Sequence, residues 1–240
     1  MSQRRDLLIE RYAEHYKRVS YSIDPHTIDP RHLQSMQLMY GDFVTGLPPG
    51  SKVLDLGCGT GFLLNWLSQQ PGIVPVGVDS SVTQVEIAMQ KLQGIEISCK
   101  DGLDYLREHP DTFSGIFCIN VLEHIPGKDL CLEWVEAARA ALYPGGFFLC
   151  SIPNAANLTG SYGRYIDLTH EQSFTTPSIL QLLEAGGLQD CRIVPIRSTH
   201  LSGRLRLVVE ALLHKILFRI CGRGLEQVFT KDICAIGFRR

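Results

Sequence analysis

The sequence Lys52-Val53-Leu54-Asp55-Leu56-Gly57-Cys58-Gly59-Thr60-Gly61 decides the fold of this chain. An apolar run of strand formers ends near an acid, and three glycines follow at alternate positions before the helix-forming segment Phe62–Leu67. The pattern predicts a buried strand, a tight turn and a helix start. Glycine suits such a turn because it adopts backbone conformations closed to other residues and lets a ligand approach its amides. We therefore predict a binding site at this turn.

The glycine spacing separates this turn from two phosphate-binding loops. Dinucleotide-binding loops follow Gly-x-Gly-x-x-Gly, whereas the order here is Gly57-x-Gly59-x-Gly61. A P-loop has a lysine after its last glycine, and here Phe62 follows instead. The turn resembles the first motif of class I S-adenosylmethionine-dependent methyltransferases. This resemblance implies that the methionine part of S-adenosylmethionine is held by Asp55, Gly57, Cys58, Gly59 and Gly61.

Strand-like and helix-like segments alternate through the rest of the chain. The further strand candidates are residues 73–79, 95–99, 113–120, 147–152, 188–196 and 228–238. Such alternation predicts an α/β fold with a parallel sheet and right-handed crossovers. The resemblance implies a doubly wound, mostly parallel seven-stranded sheet, with an antiparallel last strand and an N-terminal helical cap.

The length and composition fit a single globular domain. The chain has 240 residues, of which 45% are hydrophobic and 20% charged, which is enough for a sizeable core. We expect a helical cap over 1–47 with helices over 2–19 and 29–47, a cofactor-binding core over 48–199, an apolar helical insertion over 200–227 and a last strand within 228–240. Three tyrosines of the cap, either cleft-wall or half-buried helix positions, are Tyr12, Tyr16 and Tyr21.

Charge and cysteine content limit the classes of partner and compartment. The net charge of −2 and the pI near 6.4 argue against a general nucleic-acid binder, which normally has a basic face. The amino terminus is charged and has no apolar core, so we expect no secretory signal. The eight cysteines include no Cys-x-x-Cys pair. They indicate reduced thiols of a cytoplasmic protein and no disulfide frame or zinc site.

Two acids at predicted strand ends are candidate ligands of a nucleoside. Asp79 ends the second strand about 20 residues after the first glycine of the turn, where a carboxylate can accept two hydrogen bonds from a ribose diol. Ser80 lies beside it on the ribose side. After the third strand, the resemblance implies that Asp101 and Gly102 bind the adenine edge. A solvated strand-end acid and an ordinary Asp-Gly turn are the alternatives.

The segment Asn120-Val-Leu-Glu-His-Ile125 follows the fourth strand. Asn120 falls at the carboxyl end of that strand, the edge where ligands bind in doubly wound sheets, and is a further candidate for cofactor binding. The segment resembles the post-strand motif of small-molecule methyltransferases, including those of ubiquinone synthesis and many that act on sugars. It lacks the Asn/Asp-Pro-Pro-aromatic motif of nucleic-acid amino methyltransferases. We therefore expect a small-molecule or glycan acceptor and no nucleic acid.

A long polar stretch, residues 153–171, follows the fifth strand, and loops of this kind are more often functional than structural. Its Tyr165-x-Asp-Leu-Thr-His-Glu part resembles methyltransferases encoded with polysaccharide and O-antigen assembly enzymes. A sugar hydroxyl must lose its proton as it attacks a methyl donor, and histidine accepts a proton near neutral pH. The predicted general base is therefore His170 or His124, with Asp167 as the orienting acid.

Other roles are open for both histidines. His124 could close the cofactor cleft at a helix start, and His170 could cap the loop by a hydrogen bond. Asp167, His170 and Glu171 could also ligate a divalent metal. No ligand spacing supports the metal, so we expect none.

Residues 204–220 are strongly apolar yet interrupted by charges. They are too few and too charged to cross a bilayer, which needs about 20 apolar residues. A helix lying on an anionic membrane surface would use the basic residues of this region, which are Arg204, Arg206, Lys215, Arg219 and Arg223. A buried helix before the last strand, or a homodimer contact, explains the pattern as well.

These features together predict a cytoplasmic S-adenosylmethionine-dependent methyltransferase, with peripheral contact at the inner face of the membrane as a further expectation. The predicted reaction is methyl transfer to a hydroxyl of a sugar, a lipid-linked glycan or a related small molecule in polysaccharide biosynthesis. A quinone or phenol acceptor is the alternative. A non-catalytic subunit that binds the cofactor is the other class of function compatible with this sequence.

Overall fold

A computed structural model describes residues 8, 30–223 and 228–240. The predicted helix over 2–19 and the three tyrosines of the cap fall outside the described residues. The elements in chain order are α1 (Pro30–Val44), β1 (Ser51–Leu56), α2 (Phe62–Leu67), β2 (Ile73–Asp79), α3 (Val82–Lys91), β3 (Glu96–Cys99), α4 (Gly102–Glu108), β4 (Phe113–Ile119), a 3₁₀ helix (Leu122–His124), α5 (Lys128–Ala141), β5 (Leu142–Pro153), α6 (Gly160–Tyr165), α7 (Thr176–Ala185), β6 (Gln189–Val194), α8 (Leu201–Ile220) and β7 (Asp232–Phe238).

Seven strands form one sheet in the order β3-β2-β1-β4-β5-β7-β6. The strands β1 to β5 pair in parallel, and β7 runs antiparallel between β5 and β6. The predicted doubly wound, mostly parallel seven-stranded fold is therefore confirmed. The order reverses between β1 and β4, so a ligand site is expected at the carboxyl ends of these two strands.

The central strands are buried on both faces, as parallel strands covered by helices must be. In β4, Ile116 packs into one apolar layer and Phe117 into the opposite one. Helix α1 covers the second layer, where the Tyr40 ring meets Phe117 edge-on with centroids 5.4 Å apart. A hydrogen bond of 3.2 Å from Trp66 Nε1 to Gln37 Oε1 also joins α1 to α2. The described part of the predicted cap is thus packed onto the sheet.

The structure differs from the sequence prediction at β5 and after it. Residues 142–146, which precede the predicted fifth strand, belong to β5, because Leu142 pairs with Phe113 before a register shift leads to the pair Gly115–Phe147. The polar stretch 153–171 is not all loop, since it contains helix α6. Local propensity is weak in this segment of mostly small and polar residues, so tertiary contacts decide its conformation.

Helix α8 occupies most of the predicted apolar insertion. Only His214 of this helix is fully buried, while nine of its apolar side chains are exposed. The interpretation of this segment as a buried helix is therefore wrong. Over the part of the chain that the structure describes, every helix falls short of the length and apolarity that a bilayer crossing requires.

The glycine turn after β1 packs against the segment that follows β4. Gly57 has a φ of 78°, and a Cβ added to it would lie 2.4 Å from Val121 Cγ2. A side chain at this position would therefore combine backbone strain with a clash against a β-branched residue that has little rotamer freedom. The turn and the post-β4 segment can approach this closely only through glycine.

We expect Gly57→Ala to destabilise the protein more than Gly50→Ala. Gly50 has a similar φ of 85°, and a Cβ there would meet nothing within 4 Å, so the control carries the backbone strain alone. Gly57→Ala should lower the free energy of unfolding in urea by a further 1–3 kcal/mol, roughly the cost of overpacking. Equal losses in the two variants would show that Val121 does not restrict the turn.

Candidate functional site

The glycine turn and the end of β2 form one hydrogen-bonded unit. Asp79 Oδ2 accepts a hydrogen bond from the Gly59 amide at 2.8 Å, and Asp79 Oδ1 accepts one from the Ser81 amide at 2.9 Å. Ser81 also caps α3, since its hydroxyl accepts a hydrogen bond from the Gln84 amide. Ser80, between the two, is exposed. The structure thus places Asp79 and Ser80 at the carboxyl end of β2, beside the turn.

A second carboxylate, Asp55, lies under the turn and is 3% exposed. Burial, and to a lesser extent the nearby Asp79, raise the pKa of Asp55 to about 8, although a hydrogen bond from the Leu64 amide opposes this rise. Two acids this close to each other disfavour the doubly ionised state. A cationic ligand would relieve this repulsion. The sulfonium and ammonium groups of S-adenosylmethionine meet that requirement, so the residues present fit this cofactor.

Three other predicted cofactor residues also have structural roles. The side chain of Cys58 is buried, so only its backbone borders the turn. Asp101 caps α4, with its Oδ1 accepting a hydrogen bond from the Leu103 amide at 2.9 Å. A Cβ on Gly102 would lie 2.4 Å from Trp134 Cη2, so packing alone requires glycine there. Asp101 and Gly102 lie at the end of β3 as predicted, and their contact with adenine stays a prediction.

The segment after β4 joins the cofactor turn to the predicted base. Asn120 has a φ of 56°, an uncommon conformation for a residue other than glycine, and its amide donates to the Ser151 carbonyl at 2.8 Å. Its side chain is exposed at the sheet edge. Val121 then contacts the turn, and its carbonyl accepts a hydrogen bond from the His124 amide at 2.9 Å.

His124 and Asp167 are connected through a residue that the sequence did not reveal. His124 Nδ1 lies 2.8 Å from Thr169 Oγ1, and that hydroxyl lies 2.6 Å from Asp167 Oδ1. Because an ionised carboxylate only accepts, the Thr169 hydroxyl donates to Asp167 and accepts from His124 Nδ1. The basic lone pair of neutral His124 is therefore on Nε2. A sequence signal did exist, because Asp-x-Thr commonly forms an Asx turn.

The charge on Asp167 is stabilised by its neighbours. Burial by itself would raise the pKa of Asp167, but hydrogen bonds from the Thr169 hydroxyl and amide, with both histidines nearby, hold the pKa below its ordinary value. His170 is buried and its Nδ1 donates to the Gly163 carbonyl at 2.9 Å. The His124 and His170 rings meet edge-on with centroids 4.7 Å apart. The three catalytic candidates are thus brought together.

Glu123 is a member of this group that the sequence analysis missed. It is 1% exposed, and within the described residues its Oε2 atom has no hydrogen-bond partner. Burial raises the pKa of Glu123 to about 8 against a hydrogen bond from its own amide, and Asp232 and Asp167 contribute to the rise. The signal in the sequence was an acid directly before His124 within an otherwise apolar segment.

Glu123 and the two histidines could hold a divalent cation. Their ligand-type atoms all lie within 4.8 Å of one another. This set shares only His170 with the one considered from the sequence, because Glu123 and His124 stand in place of Asp167 and the exposed Glu171. Two imidazoles and a carboxylate suit Zn²⁺, Mn²⁺ or Fe²⁺ better than Ca²⁺.

The sheet order, the glycine turn at its switch point and the acid at the end of β2 define a nucleoside-cofactor site in an α/β enzyme. Residues 33–192 match the family described as a methyltransferase domain. The solved structure of an S-adenosylmethionine-dependent methyltransferase from Archaeoglobus fulgidus superposes with a TM-score of 0.65 at 22% identity, covering 87% of this chain and 94% of that one.

Two relatives are ubiquinone biosynthesis O-methyltransferases. The one from Histophilus somni is 32% identical over 137 residues, which are 54% of each chain. The one from Coxiella burnetii is 31% identical over 166 residues, covering 63% of this chain and 68% of the relative. The chain thus spans about half the length of the first of these. It belongs to the methyltransferase-domain family and has the fold of class I S-adenosylmethionine-dependent methyltransferases.

We expect the stability of the ligand-free protein to fall as pH rises, partly because Asp55 ionises. Its folded-state pKa of about 8 lies above the unfolded value of about 3.9. The stability that protonated Asp55 contributes is therefore complete below the unfolded pKa and is lost as pH rises through the folded-state pKa. Between pH 6 and pH 9 this part of the fall should be about 1–3 kcal/mol in urea unfolding.

The Asp55→Asn variant carries a side chain that is neutral at every pH. It should therefore lack the part of the fall in unfolding free energy that comes from Asp55. The exposed Asp42 provides the matched control, since Asp42→Asn should leave the pH dependence unchanged. An Asp55→Asn variant with the pH dependence of the parent protein would mean that Asp55 is already ionised in the native state at pH 6.

Proposed function

We propose that this enzyme transfers the methyl group to a hydroxyl of a sugar or a lipid-linked glycan in cytoplasmic polysaccharide biosynthesis. The observation that carries the proposal is the hydrogen-bonded chain from Asp167 through Thr169 to His124. Its histidine follows directly on the segment that touches the cofactor turn. A positioned base of this kind serves an acceptor that must lose a proton as it attacks.

The cofactor would be held by the turn and the three strand ends around it. Asp55 and Asp79 supply negative charge, and the backbone of the turn approaches the methionine part. The residues at the ends of the neighbouring strands, Ser80, Asp101, Gly102 and Asn120, are the candidates for the nucleoside part. S-adenosylmethionine supplies an electrophilic methyl group on a sulfonium.

His124 is the favoured general base. The acceptor oxygen forms the new bond to the methyl carbon, and its proton passes to His124 Nε2. Asp167 stabilises the resulting imidazolium through Thr169, because the hydrogen bond from Nδ1 strengthens when the ring is charged. The ring centroid of His170 lies 4.7 Å from that of His124, and its Nδ1 donates to the Gly163 carbonyl. His170 borders the same space and is the second candidate for the base.

The sugar acceptor is supported by the loop that carries Asp167 and His170, whose sequence resembles polysaccharide-associated enzymes. The two ubiquinone biosynthesis relatives support a quinone or phenol acceptor as the alternative. The two acceptors differ in acidity. A phenol has a pKa of about 10, well below that of an alcohol, so its methylation depends less on a general base.

The Thr169→Val and Thr169→Ser variants test the proposed chain to His124. Thr169→Val removes the hydroxyl and should lower kcat by roughly 10²-fold, because the histidine loses its orientation and its link to Asp167. Thr169→Ser keeps the hydroxyl and should retain most of the activity. Cofactor affinity, measured by calorimetry, should be the same in both. A Val variant as active as the Ser variant would contradict a base acting through Thr169.

The acceptor class can be read from the transfer of labelled methyl into fractionated extract of the source cells. We expect label in polysaccharide or lipid-linked glycan, and none with Asp79→Ala, which loses the carboxylate beside the turn. Label confined to the quinone-bearing lipid fraction would favour the alternative acceptor. Cofactor binding without any label in a complete extract would favour a non-catalytic binding role.

A metal-assisted form of the same reaction is the second candidate. It is favoured by Glu123, because one of its carboxylate oxygens lies within 4.8 Å of a ring nitrogen of each histidine and its buried Oε2 has no hydrogen-bond partner among the described residues. A cation there would lower the pKa of an acceptor hydroxyl directly. We expect methyl transfer to persist after treatment with EDTA. Loss of activity in EDTA, its restoration by Mn²⁺ and its absence in Glu123→Gln would instead support the metal.

A further inference from the structure

Helix α8 presents a wide apolar surface to solvent. We call this surface the α8 apolar face. At 3.6 residues per turn its members occupy one side of the helix, opposite the side that carries the buried His214. They are Leu201, Leu205, Val208, Val209, Leu212, Leu213, Ile216, Leu217 and Ile220. An exposed apolar surface of this extent is a site for docking, because water does not favour it.

Basic residues accompany the α8 apolar face. On the helical wheel, Arg204 and Lys215 lie along one edge of the face and Arg206 lies near the other, and all are exposed. Arg219 lies within the face near its carboxyl end. The helix has one acid, Glu210, which is half-buried beside Leu217 at the same edge of the face as Arg206 and accepts a hydrogen bond from Asn157 Nδ2 at 2.8 Å. The exposed charged side chains of α8 are therefore all basic.

We propose that α8 docks the enzyme on an anionic membrane surface, lying parallel to it with the α8 apolar face among the lipid acyl chains. An amphipathic helix of about 20 residues with long basic side chains at its edges has the chemistry that such surfaces bind. The basic stems can extend along the apolar boundary while their charges reach lipid phosphates. A second copy of this chain is a poorer occupant, because two such faces would bring like charges together.

The docked helix is connected to the loop of the catalytic site. His214 Nδ1 donates to the Glu210 carbonyl at 2.7 Å, so His214 Nε2 accepts the hydrogen bond of 2.7 Å from the Leu158 amide. Leu158 and the Asn157 bound to Glu210 begin the stretch that continues to Asp167 and His170. Membrane docking therefore goes beyond the proposed function. Where the proposed function holds, docking presents the methyl-transfer site to acceptors in the membrane.

Cosedimentation of the full chain with vesicles tests the docking. We expect binding to vesicles of phosphatidylcholine with about a third phosphatidylglycerol, and at least tenfold weaker binding to phosphatidylcholine alone. Raising the salt from about 50 to 500 mM should weaken binding severalfold without abolishing it, since charge is screened and apolar burial is not. Equal binding to both vesicles, or to neither, would overturn the proposal.

Two variants with matched controls locate the surface. Leu212→Glu with Ile216→Glu should reduce vesicle binding at least tenfold, whereas Met89→Glu, at an exposed apolar residue of α3, should not. Arg206→Gln with Lys215→Gln should reduce binding only to anionic vesicles, whereas Lys52→Gln with Lys128→Gln should have little effect. Circular dichroism checks that every variant is folded. Unchanged binding in the α8 variants would contradict the assignment.

The oligomeric state gives the competing outcome. The protein could be a dimer that does not bind vesicles and that Leu212→Glu converts to a monomer. That result would assign the α8 apolar face to a second copy and overturn the membrane proposal. Vesicle binding needs no methyl acceptor, so it stands or falls separately from the acceptor assay. Methyl transfer to glycan by protein that fails to bind vesicles would leave the proposed function intact and the docking refuted.

Discussion

The hydrogen bond of 2.8 Å from the Gly59 amide to Asp79 is the interaction on which the rest of the site depends. It ties the turn after β1 to the end of β2 at the edge of the sheet where the strand order reverses. Gly57 then allows Val121 to reach the turn, so the segment carrying His124 starts from the same place. The glycine turn and His124, the proposed proton acceptor, therefore share one support, and methyl transfer depends on such alignment of donor and acceptor.

The buried acids of the site differ in charge according to the hydrogen bonds that each accepts. Asp55 and Glu123 have few polar partners, so burial raises the pKa of each to about 8. Asp167 is also buried, yet hydrogen bonds from Thr169 keep its pKa low. The same residue type is thus near-neutral or charged according to its hydrogen bonds. A cationic cofactor would favour the ionised form of Asp55. The charged Asp167 would stabilise a histidine that becomes charged during the reaction.

The sequence was a good guide wherever a pattern repeats locally. The run ending at Asp79 has the predicted bounds of β2, and the glycine turn and its acid occupy the expected sheet edge. It was a poor guide to residues whose role needs a distant partner. Thr169 lies 45 positions from His124, and Glu123 gains significance only beside His170. The early start of β5 likewise depends on pairing with Phe113, which no local signal predicts.

The sequence by itself indicated the class of this protein. Alternating strands and helices predict a parallel α/β sheet, and the resemblance of the glycine turn to class I methyltransferases implies its strand number and its cofactor. Only the tertiary structure decided which side chains meet at the reacting end. It also showed that α8 is mostly exposed and is hydrogen-bonded through His214 to Leu158, in the stretch 153–171. Periodicity reports which residues share a face, but whether that face is covered depends on the elements packed around it.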